Sequence, residues 1–439
     1  MSNQPIIYFV HCIDTEGPLD EDLTATFGRL KSIFDIDLPQ SKENLKLIQE
    51  KKINLNGKED LVAKCFDPKL LKYNRNWEDI SNMLNIAMSK SFRNELIDDF
   101  NGGWVYSWHC MDHLGFLDNP RHKDIGYGNV FKFYNEKIKE TSSFEDEINW
   151  HFHPLSITRH PLHAATSYTN SFDILTYILC RRIIEDNWFP TVNRPGFHSE
   201  RPDSHLFLEQ WIPYDYANQR YETDDLQPDL TEGRFGDWIR SPKTWRGYNP
   251  NHFDYQSIGN CRRKIFRCLN IGTRLRQLNY EHIEEAYLEA KEFGNSIVAF
   301  ADHDYRDIIP DVIYLRDLIR NLKKNHPDVL IKFSGAEAAA IAIENVDSSN
   351  LIKPDFKINI VDNKLIVELV DGEIFGSQPY LAIKTSGEKY YHDNFDIIDF
   401  GSKWQYVFDD QTILLKNISA IGVASAGRFG KYVVNVIKF

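Results

Sequence analysis

The sequence predicts an α/β protein built on a parallel sheet and followed by an antiparallel β-sandwich. Up to about residue 345, short apolar segments typical of buried strands alternate with amphipathic helical segments. Beyond about residue 350, only short strand-like segments follow, separated by Asp-Asn, Asp-Gly, Ser-Gly and Ala-Gly turn signals. We therefore expect two domains, residues 1–345 and 350–439, the first with a helical insertion at about 20–100.

The predicted strands of the first domain follow one another with helices between them. The first strand spans Ile6 to Ile13, and the second spans 102–111. Helices are expected at about 171–187, 281–293 and 308–324, where apolar residues recur at helical spacing. Later strands lie in EINWHFHP (147–154), TVNRPGF (191–197), IPYDYAN (212–218), SIVAFADHD (296–304) and VLIKFSG (329–335).

Composition excludes several classes of protein. A net charge of −13 argues against a nucleic-acid partner, which would require a basic face. No apolar run is long enough to span a membrane, and the N-terminus lacks a secretory signal, so we expect a cytoplasmic protein. The six cysteines are scattered without a CxxC pair, which favours reduced thiols. A homo-oligomer is compatible with these features.

Two histidines and two carboxylates follow strands at positions that favour a metal site. In an extended segment His151 and His153 share one face, and Asp14 and Glu16 share a face after the first strand. Because reactive groups gather at the carboxyl ends of parallel strands, we expect these side chains to converge on a divalent ion, most simply zinc. One carboxylate would bind the ion while the other accepts a proton from water. The alternatives are histidines facing water, and acids that cap a helix or lie in a solvated turn.

Four further polar residues occupy neighbouring strand ends. Arg194 follows an apolar strand and would either orient the carboxylate base or form a structural salt bridge. His303, flanked by two aspartates, is placed as a general acid, or else is a surface or capping residue. Asp112 and His113 are candidates for groups that support the metal ligands, or for alternate ligands.

Two stretches suggest substrate binding. The loop 237–255 contains Trp238, Trp245, Arg246 and Tyr248, which suit stacking on a sugar ring and binding an anion. The run 261–276 is densely basic, and it predicts either a solvated strand face or a phosphate clamp.

These motifs together resemble the polysaccharide deacetylase family, also called the NodB-homology superfamily. IDTEGP resembles its first motif, EINWHFHP its second in branches with a His-x-His pair, NRPGF its third, and FADHD its late histidine motif, in the family's order over roughly residues 5–340. The family's common tyrosine in the third motif is replaced here by Gly196-Phe197.

The resemblance implies a distorted (β/α) barrel and a role for each matched residue. Glu16, His151 and His153 would hold the metal. Asp14 would be the base, Arg194 would orient it, and His303 would be the acid.

The activity that this resemblance implies is metal-dependent hydrolysis of an N-acyl group, most simply acetyl, on an amino sugar or glycan precursor. One alternative is a carbohydrate-binding or scaffold protein with the same fold. Another is a metal-dependent acyl or amide reaction on a sugar acid in surface polysaccharide biosynthesis, with the basic run 261–276 holding the carboxylate.

Overall fold

The structure, a computed structural model, describes residues 4–222, 236–273, 275–345 and 351–439. Its core is a closed barrel of parallel strands with helices outside. In order around the barrel, the strands are β1 (Ile6–Thr15), β2 (Tyr106–Met111), β3 (Glu147–Phe152), β4 (Val192–Pro195), β5 (Tyr214–Asn218), β8 (Lys264–Asn270) and β9 (Asn295–His303). The barrel closes because β9 pairs with β1 from Ile6 to Asp14. The predicted parallel α/β barrel is confirmed at this level, and its deacetylase type stays a prediction.

A further strand and the two faces of β1 explain how the barrel is filled. β10 (Leu330–Phe333) pairs in parallel with the first residues of β1, and β2 pairs with the later residues of β1 on the same side.

Alternate residues of β1 belong to different cores. Phe9 and Ile13 pack in the large core that includes the surrounding helices, whereas Val10 and Cys12 pack with residues of β4, β5, β8 and β9. Even-numbered residues of β1 therefore face the barrel interior.

The expected helical insertion lies between β1 and β2. Several of its helices begin at a polar residue whose side chain accepts from the third backbone N–H, as helix N-caps do: Asp22, Ser41, Asn76 and Ser89. The helices are α1 (Leu23–Phe34), α2 (Lys42–Gln49), α3 (Glu59–Cys65), α4 (Trp77–Ala87) and α5 (Lys90–Arg93).

The remaining helices follow the barrel strands. They are α6 (Asn129–Thr141), α7 (Phe172–Asp186), α8 (His205–Trp211), α9 (Tyr280–Phe293), α10 (Ile309–Asn325) and α11 (Ala336–Ile343). None of the helices in the described ranges combines the length and the apolar character that crossing a bilayer requires.

One predicted boundary is wrong: β2 begins at Tyr106 and not at residue 102. The Asp98 carboxylate accepts from the backbone N–H groups of Phe100 and Gly102, at 2.9 and 2.7 Å, and so holds this part of the chain in a turn. Between β5 and β8, β6 (Pro250–Asn251) and β7 (Asp254–Ile258) form a small antiparallel pair.

The C-terminal region consists of two four-stranded antiparallel sheets. The first has the order β11 (Asp355–Val361), β12 (Lys364–Asp371), β16 (Lys403–Val407), β15 (Asp396–Asp399), and the second has the order β14 (Tyr390–Asp393), β13 (Tyr380–Thr385), β17 (Ile418–Ala426), β18 (Tyr432–Lys438). Apolar side chains from both sheets form one buried cluster. Tyr380, Ala382 and Ala420 of the second sheet instead belong to the large core shared with α7, so this sheet is packed on both faces.

Candidate metal and catalytic site

The predicted site residues meet at the carboxyl end of the barrel. Asp14 is the last residue but one of β1 and faces inward, since it continues the alternation of Val10 and Cys12. His303 ends β9 and is the register partner of Asp14. His151 on β3 is the partner of Arg194 on β4. A strand alternation that the sequence predicts thus places these polar side chains at one rim.

Glu16, His151 and His153 form a group whose ligand atoms lie within 4.8 Å of one another. The two Nε2 atoms of His151 and His153 are 3.1 Å apart, and His153 Nε2 lies 3.7 Å from Glu16 Oε1. Zinc held at its usual Zn–N distance would separate two tetrahedral nitrogen ligands by roughly 3.3 Å. This donor set of two imidazoles and one carboxylate fits a zinc-like ion and leaves a position for water or substrate.

The protonation of the two histidines suits metal binding. His151 Nδ1 donates to the Arg194 carbonyl at 2.7 Å, so in the neutral ring Nε2 carries the lone pair that faces His153. Burial, with a smaller contribution from His153, lowers the pKa of His151 well below its ordinary value. Burial and the Lys123 charge lower the pKa of His153 to about 3. Both rings are therefore neutral at pH 7, which is the form that binds metals.

The backbone around Glu16 is held by neighbouring side chains. Asp304 accepts from the N–H groups of Glu16 and Gly17, each at 2.9 Å, and His113 Nε2 donates to the Glu16 carbonyl at 2.7 Å. Gly17 has a φ of 72°, a left-handed conformation that favours glycine. The Glu16 carboxylate itself pairs with Lys123. The chain bend after β1 is thereby set so that Glu16 faces the histidines.

Asp14 is held by Arg194. Arg194 Nε donates to Asp14 Oδ1 at 2.7 Å, and its Nη1 donates to the Tyr216 carbonyl at 2.8 Å. The Asp14 charge, against the cost of burial, helps raise the pKa of Arg194, which stays charged. The two roles considered for Arg194, a structural salt bridge and orientation of a carboxylate, are therefore compatible. One buried ion pair both fixes the arginine and orients the Asp14 carboxylate.

His303 lies on the other side of Asp14, with its Nε2 3.8 Å from Asp14 Oδ2. Burial, against the attraction of Asp14, lowers the pKa of His303 well below its ordinary value. The two aspartates beside it in sequence form no hydrogen bond with its ring. Asp302 accepts from the His303 backbone N–H at 2.8 Å, and Asp304 accepts from the backbone N–H groups of Glu16 and Gly17. The carboxylate facing the ring is Asp14.

Gly196 makes room for His153. A Cβ atom at position 196 would overlap the Cγ, Cδ2 and Nε2 atoms of the His153 ring. The Phe197 ring packs edge-on against the same imidazole, with centroids 4.9 Å apart. The Gly-Phe pair in the third motif therefore fits the His-x-His arrangement of the second motif.

Asp112 and His113 have different surroundings. Both oxygens of Asp112 accept from Arg182, at 2.8 and 2.9 Å, and Asp112 also accepts from Gly128 N–H at 2.6 Å. These contacts leave Asp112 in a buried salt bridge and away from the ligand group. His113 lines the cleft and donates a hydrogen bond to the backbone carbonyl of Glu16, so it supports a potential ligand residue.

A cleft of about 230 Å³ opens above these residues. Asp14, Glu16, His151, His153 and His303 line it. Several polar residues that were not singled out from the sequence also line it, namely Arg29, Arg121, Lys123, His198, Gln219, Asn270, Tyr305 and Arg306. Arg29 lies in α1, Asn270 lies at the end of β8, and Tyr305 and Arg306 directly follow the FADHD motif. No local pattern distinguishes these residues as part of a cleft.

The four predicted substrate-binding residues do not line the cleft. Trp238, Trp245 and Tyr248 are almost fully buried. The Trp245 carbonyl accepts from Ile297 N–H, and Arg246 donates to the Asn295 carbonyl at 2.8 Å, which places both near the amino end of β9. The structure therefore gives these four residues no contact with the cleft: the rings of Trp238, Trp245 and Tyr248 are buried in the core.

The basic run 261–276 is structural at Arg263 and Arg267, whereas Arg276 lines the cleft. Arg263 is fully buried and donates to both oxygens of Glu200 at 2.9 Å. Arg267 is buried with its guanidinium over the Trp245 ring, at 4.4 Å. These two arginines form neither a solvated strand face nor an open phosphate clamp.

A second group of potential ligands consists of His205, Glu209 and Cys261. Arg263 donates to His205 Nδ1 at 3.4 Å, and Glu209 accepts the Arg262 backbone N–H at 2.5 Å. A buried guanidinium beside a divalent ion is unfavourable, so we place no metal in this group.

No family model, curated protein or solved structure matches this chain. The resemblance to polysaccharide deacetylases accordingly stays a prediction drawn from the motifs and their order.

Proposed function

We propose that this protein is a metal-dependent hydrolase that removes an N-acyl group, most simply acetyl, from an amino sugar. The observation that carries the proposal is the meeting of Glu16, His151 and His153 beside Asp14, which Arg194 holds. A pure carbohydrate-binding protein has no need of this combination.

The three ligand residues would hold the divalent ion, zinc by their chemistry. The bound ion would supply Lewis acidity toward the acyl oxygen and lower the pKa of a water molecule in the open position. Glu16 contributes charge, and the neutral imidazoles contribute lone pairs without any need to lose a proton at pH 7.

Asp14 and His303 provide a path for the proton. Asp14 accepts a proton from the attacking water, while the water oxygen adds to the acyl carbon. The proton then passes over the 3.8 Å between Asp14 Oδ2 and His303 Nε2. His303 delivers it to the departing nitrogen as the C–N bond breaks, which yields a carboxylic acid and a free amine. Arg194 keeps Asp14 turned toward the cleft throughout.

The first test is metal content. The purified chain is dialysed against zinc, and bound metal is measured by elemental analysis for the wild type, His151→Ala and His252→Ala. We expect one ion per chain, lost in His151→Ala. His252 is an exposed histidine near the second ligand group, so its variant should keep the ion. A chain that binds no ion, or that keeps it in His151→Ala, would contradict the proposal.

The second test is hydrolysis. Acetate release is measured on N-acetylhexosamines in free, phosphorylated and nucleotide-linked forms. Asp14→Asn should abolish release while metal content stays unchanged. Metal binding with no release from any acylated sugar, but turnover of an amidated sugar acid, would favour the amide reaction. Metal-independent sugar binding would favour the scaffold.

A further inference from the structure

A group of cations lies along one wall of the cleft, around the ring of Tyr305. The guanidinium carbons of Arg306 and Arg121 lie 4.9 and 5.7 Å from the ring centroid, and Lys123 Nζ lies 5.1 Å from it. The guanidinium carbons of Arg121 and Arg306 also lie over the Tyr73 ring, at 5.4 and 5.9 Å from its centroid, respectively. Because aromatic faces attract cations, the two tyrosines hold these side chains in place before any ligand arrives.

Nearby carboxylates neutralise this group only in part. Glu21 is fully buried at its side chain and accepts from both Arg29 and Arg121, each at 2.7 Å. One carboxylate therefore forms ion pairs with two guanidinium groups. The Arg121 head remains at the cleft wall with part of its charge uncompensated.

Arg306 has no acidic partner among the described residues. Within the ranges that the structure describes, no carboxylate oxygen lies within 4.0 Å of its guanidinium nitrogens. Its Nε donates to the Leu70 carbonyl at 3.3 Å, which fixes the side chain without neutralising it. A fixed, unpaired guanidinium on a cleft wall is suited to bind an oxyanion.

Metal binding would add to this positive charge. Lys123 pairs with the Glu16 carboxylate, which the ion would also use, so the ion competes with the ammonium group for that carboxylate. The divalent ion would itself favour a negatively charged ligand beside it. In a chain with a net charge of −13, this local concentration of positive charge does not follow from the overall composition.

The cation wall and the metal group belong to one small cleft. The rings of Tyr305 and His303 are 4.9 Å apart, and Arg121, Lys123 and Arg306 line the same space as His151. Because both groups line one cleft, a single ligand can present an anionic group to this wall and an acyl group to the histidines.

We propose that Arg306, Arg121 and Lys123 form an oxyanion subsite, so that the acylated sugar carries a phosphate or a carboxylate. The nature of the acylated part rests on the function proposed above, whereas anion binding does not. This assigns the anion clamp to the loops after β2 and β9, beside Arg276 of the basic run 261–276, which lines the same cleft.

The test measures binding of inorganic phosphate to the full-length chain after removal of metal with a chelator. Phosphorus NMR titration reports weak binding, and without metal the phosphate cannot coordinate an ion. We expect saturable binding that Arg306→Gln weakens roughly tenfold or more, because a charge-assisted contact is lost. Arg306→Lys keeps the charge and should weaken it less.

The matched control is Arg240→Gln. Arg240 is exposed, pairs with Asp254 at 2.6 Å, and lies outside the cleft. It should bind phosphate as the wild type does. Thermal unfolding of each variant shows that it is folded. Absence of phosphate binding in the wild type, or equal binding in Arg306→Gln and the wild type, overturns the subsite.

Competition then identifies the ligand class. An N-acetylhexosamine phosphate, an N-acetylhexosaminuronic acid and neutral N-acetylhexosamine are compared as competitors of phosphate. We expect one of the two acidic sugars to compete at a concentration at least tenfold lower than the neutral sugar, and the better one distinguishes phosphate from carboxylate. Equal competition by the neutral sugar, or none by either acidic sugar, refutes an anionic sugar substrate. A failure of metal binding would leave the phosphate result intact, so the two proposals fail separately.

Discussion

Replacement of Gly196 by alanine should disable the metal site through a single methyl group. The added Cβ would lie well inside 3.0 Å of the His153 ring, whereas ordinary contact begins at 3.4 Å. The ring must therefore shift by roughly 1 Å, because close-packed atoms do not overlap. Metal–nitrogen distances tolerate deviations of only about 0.2 Å. A shift of this size removes His153 Nε2 from its place 3.1 Å from His151 Nε2.

The expected result is a loss of metal affinity with the fold intact. Disturbing residues that merely support ligands costs roughly 10- to 100-fold in affinity, so removal of a ligand should cost at least about 100-fold. Affinity is measured by competition with a coloured chelator, and the fold is checked by circular dichroism. Gly28→Ala is the matched control, since nothing lies within 4 Å of its added Cβ. Wild-type zinc affinity in Gly196→Ala would refute the assignment of His153 as a ligand.

Three further predictions distinguish residues that position the site from residues that stabilise the fold. Arg194→Lys should lower kcat roughly 100-fold with metal content unchanged, because Asp14 loses the guanidinium that orients it; an unchanged kcat would contradict this role. Asp112→Asn should destabilise the fold by about 3 kcal/mol in urea unfolding, since it leaves Arg182 buried without its partner, while zinc stoichiometry stays at the wild-type value. Burial raises the pKa of Asp304 to about 7 from an ordinary value of 3.8, so the folded chain retains a proton there that the unfolded chain has lost. The unfolding free energy of the metal-free protein should therefore fall as pH rises between these values, and Asp304→Asn should flatten that fall; an unaltered profile would contradict the raised pKa.

The barrel and the core of the site were predictable because they follow from local periodicity. A buried run such as β1 reads as a strand, and the two-residue repeat then places Asp14 and Glu16, and likewise His151 and His153, on shared faces. The rule that parallel strands direct reactive groups to their carboxyl ends brings His303 and Arg194 to the same rim.

The substrate residues were not predictable in this way. Trp245 and Arg246 have a composition typical of a binding loop, yet Trp245 packs in the core beside the start of β9. Aromatic and arginine side chains serve cores and clefts equally well, and only the path of the chain distinguishes the two. For the same reason, the basic run 261–276, which contributes Arg276 to the cleft, gave no signal for Arg121, Lys123 or Arg306, which line it as well.

The order of residues along the chain by itself determined which side chains face into the barrel, because side-chain direction along a strand depends on the backbone alone. The tertiary structure decided everything that depends on meetings between distant loops. The contact of Lys123 with Glu16, the space that Gly196 leaves for His153 and the position of Arg121 over Tyr305 all arise there. Interactions of this kind join residues that lie far apart along the chain, which no local pattern encodes.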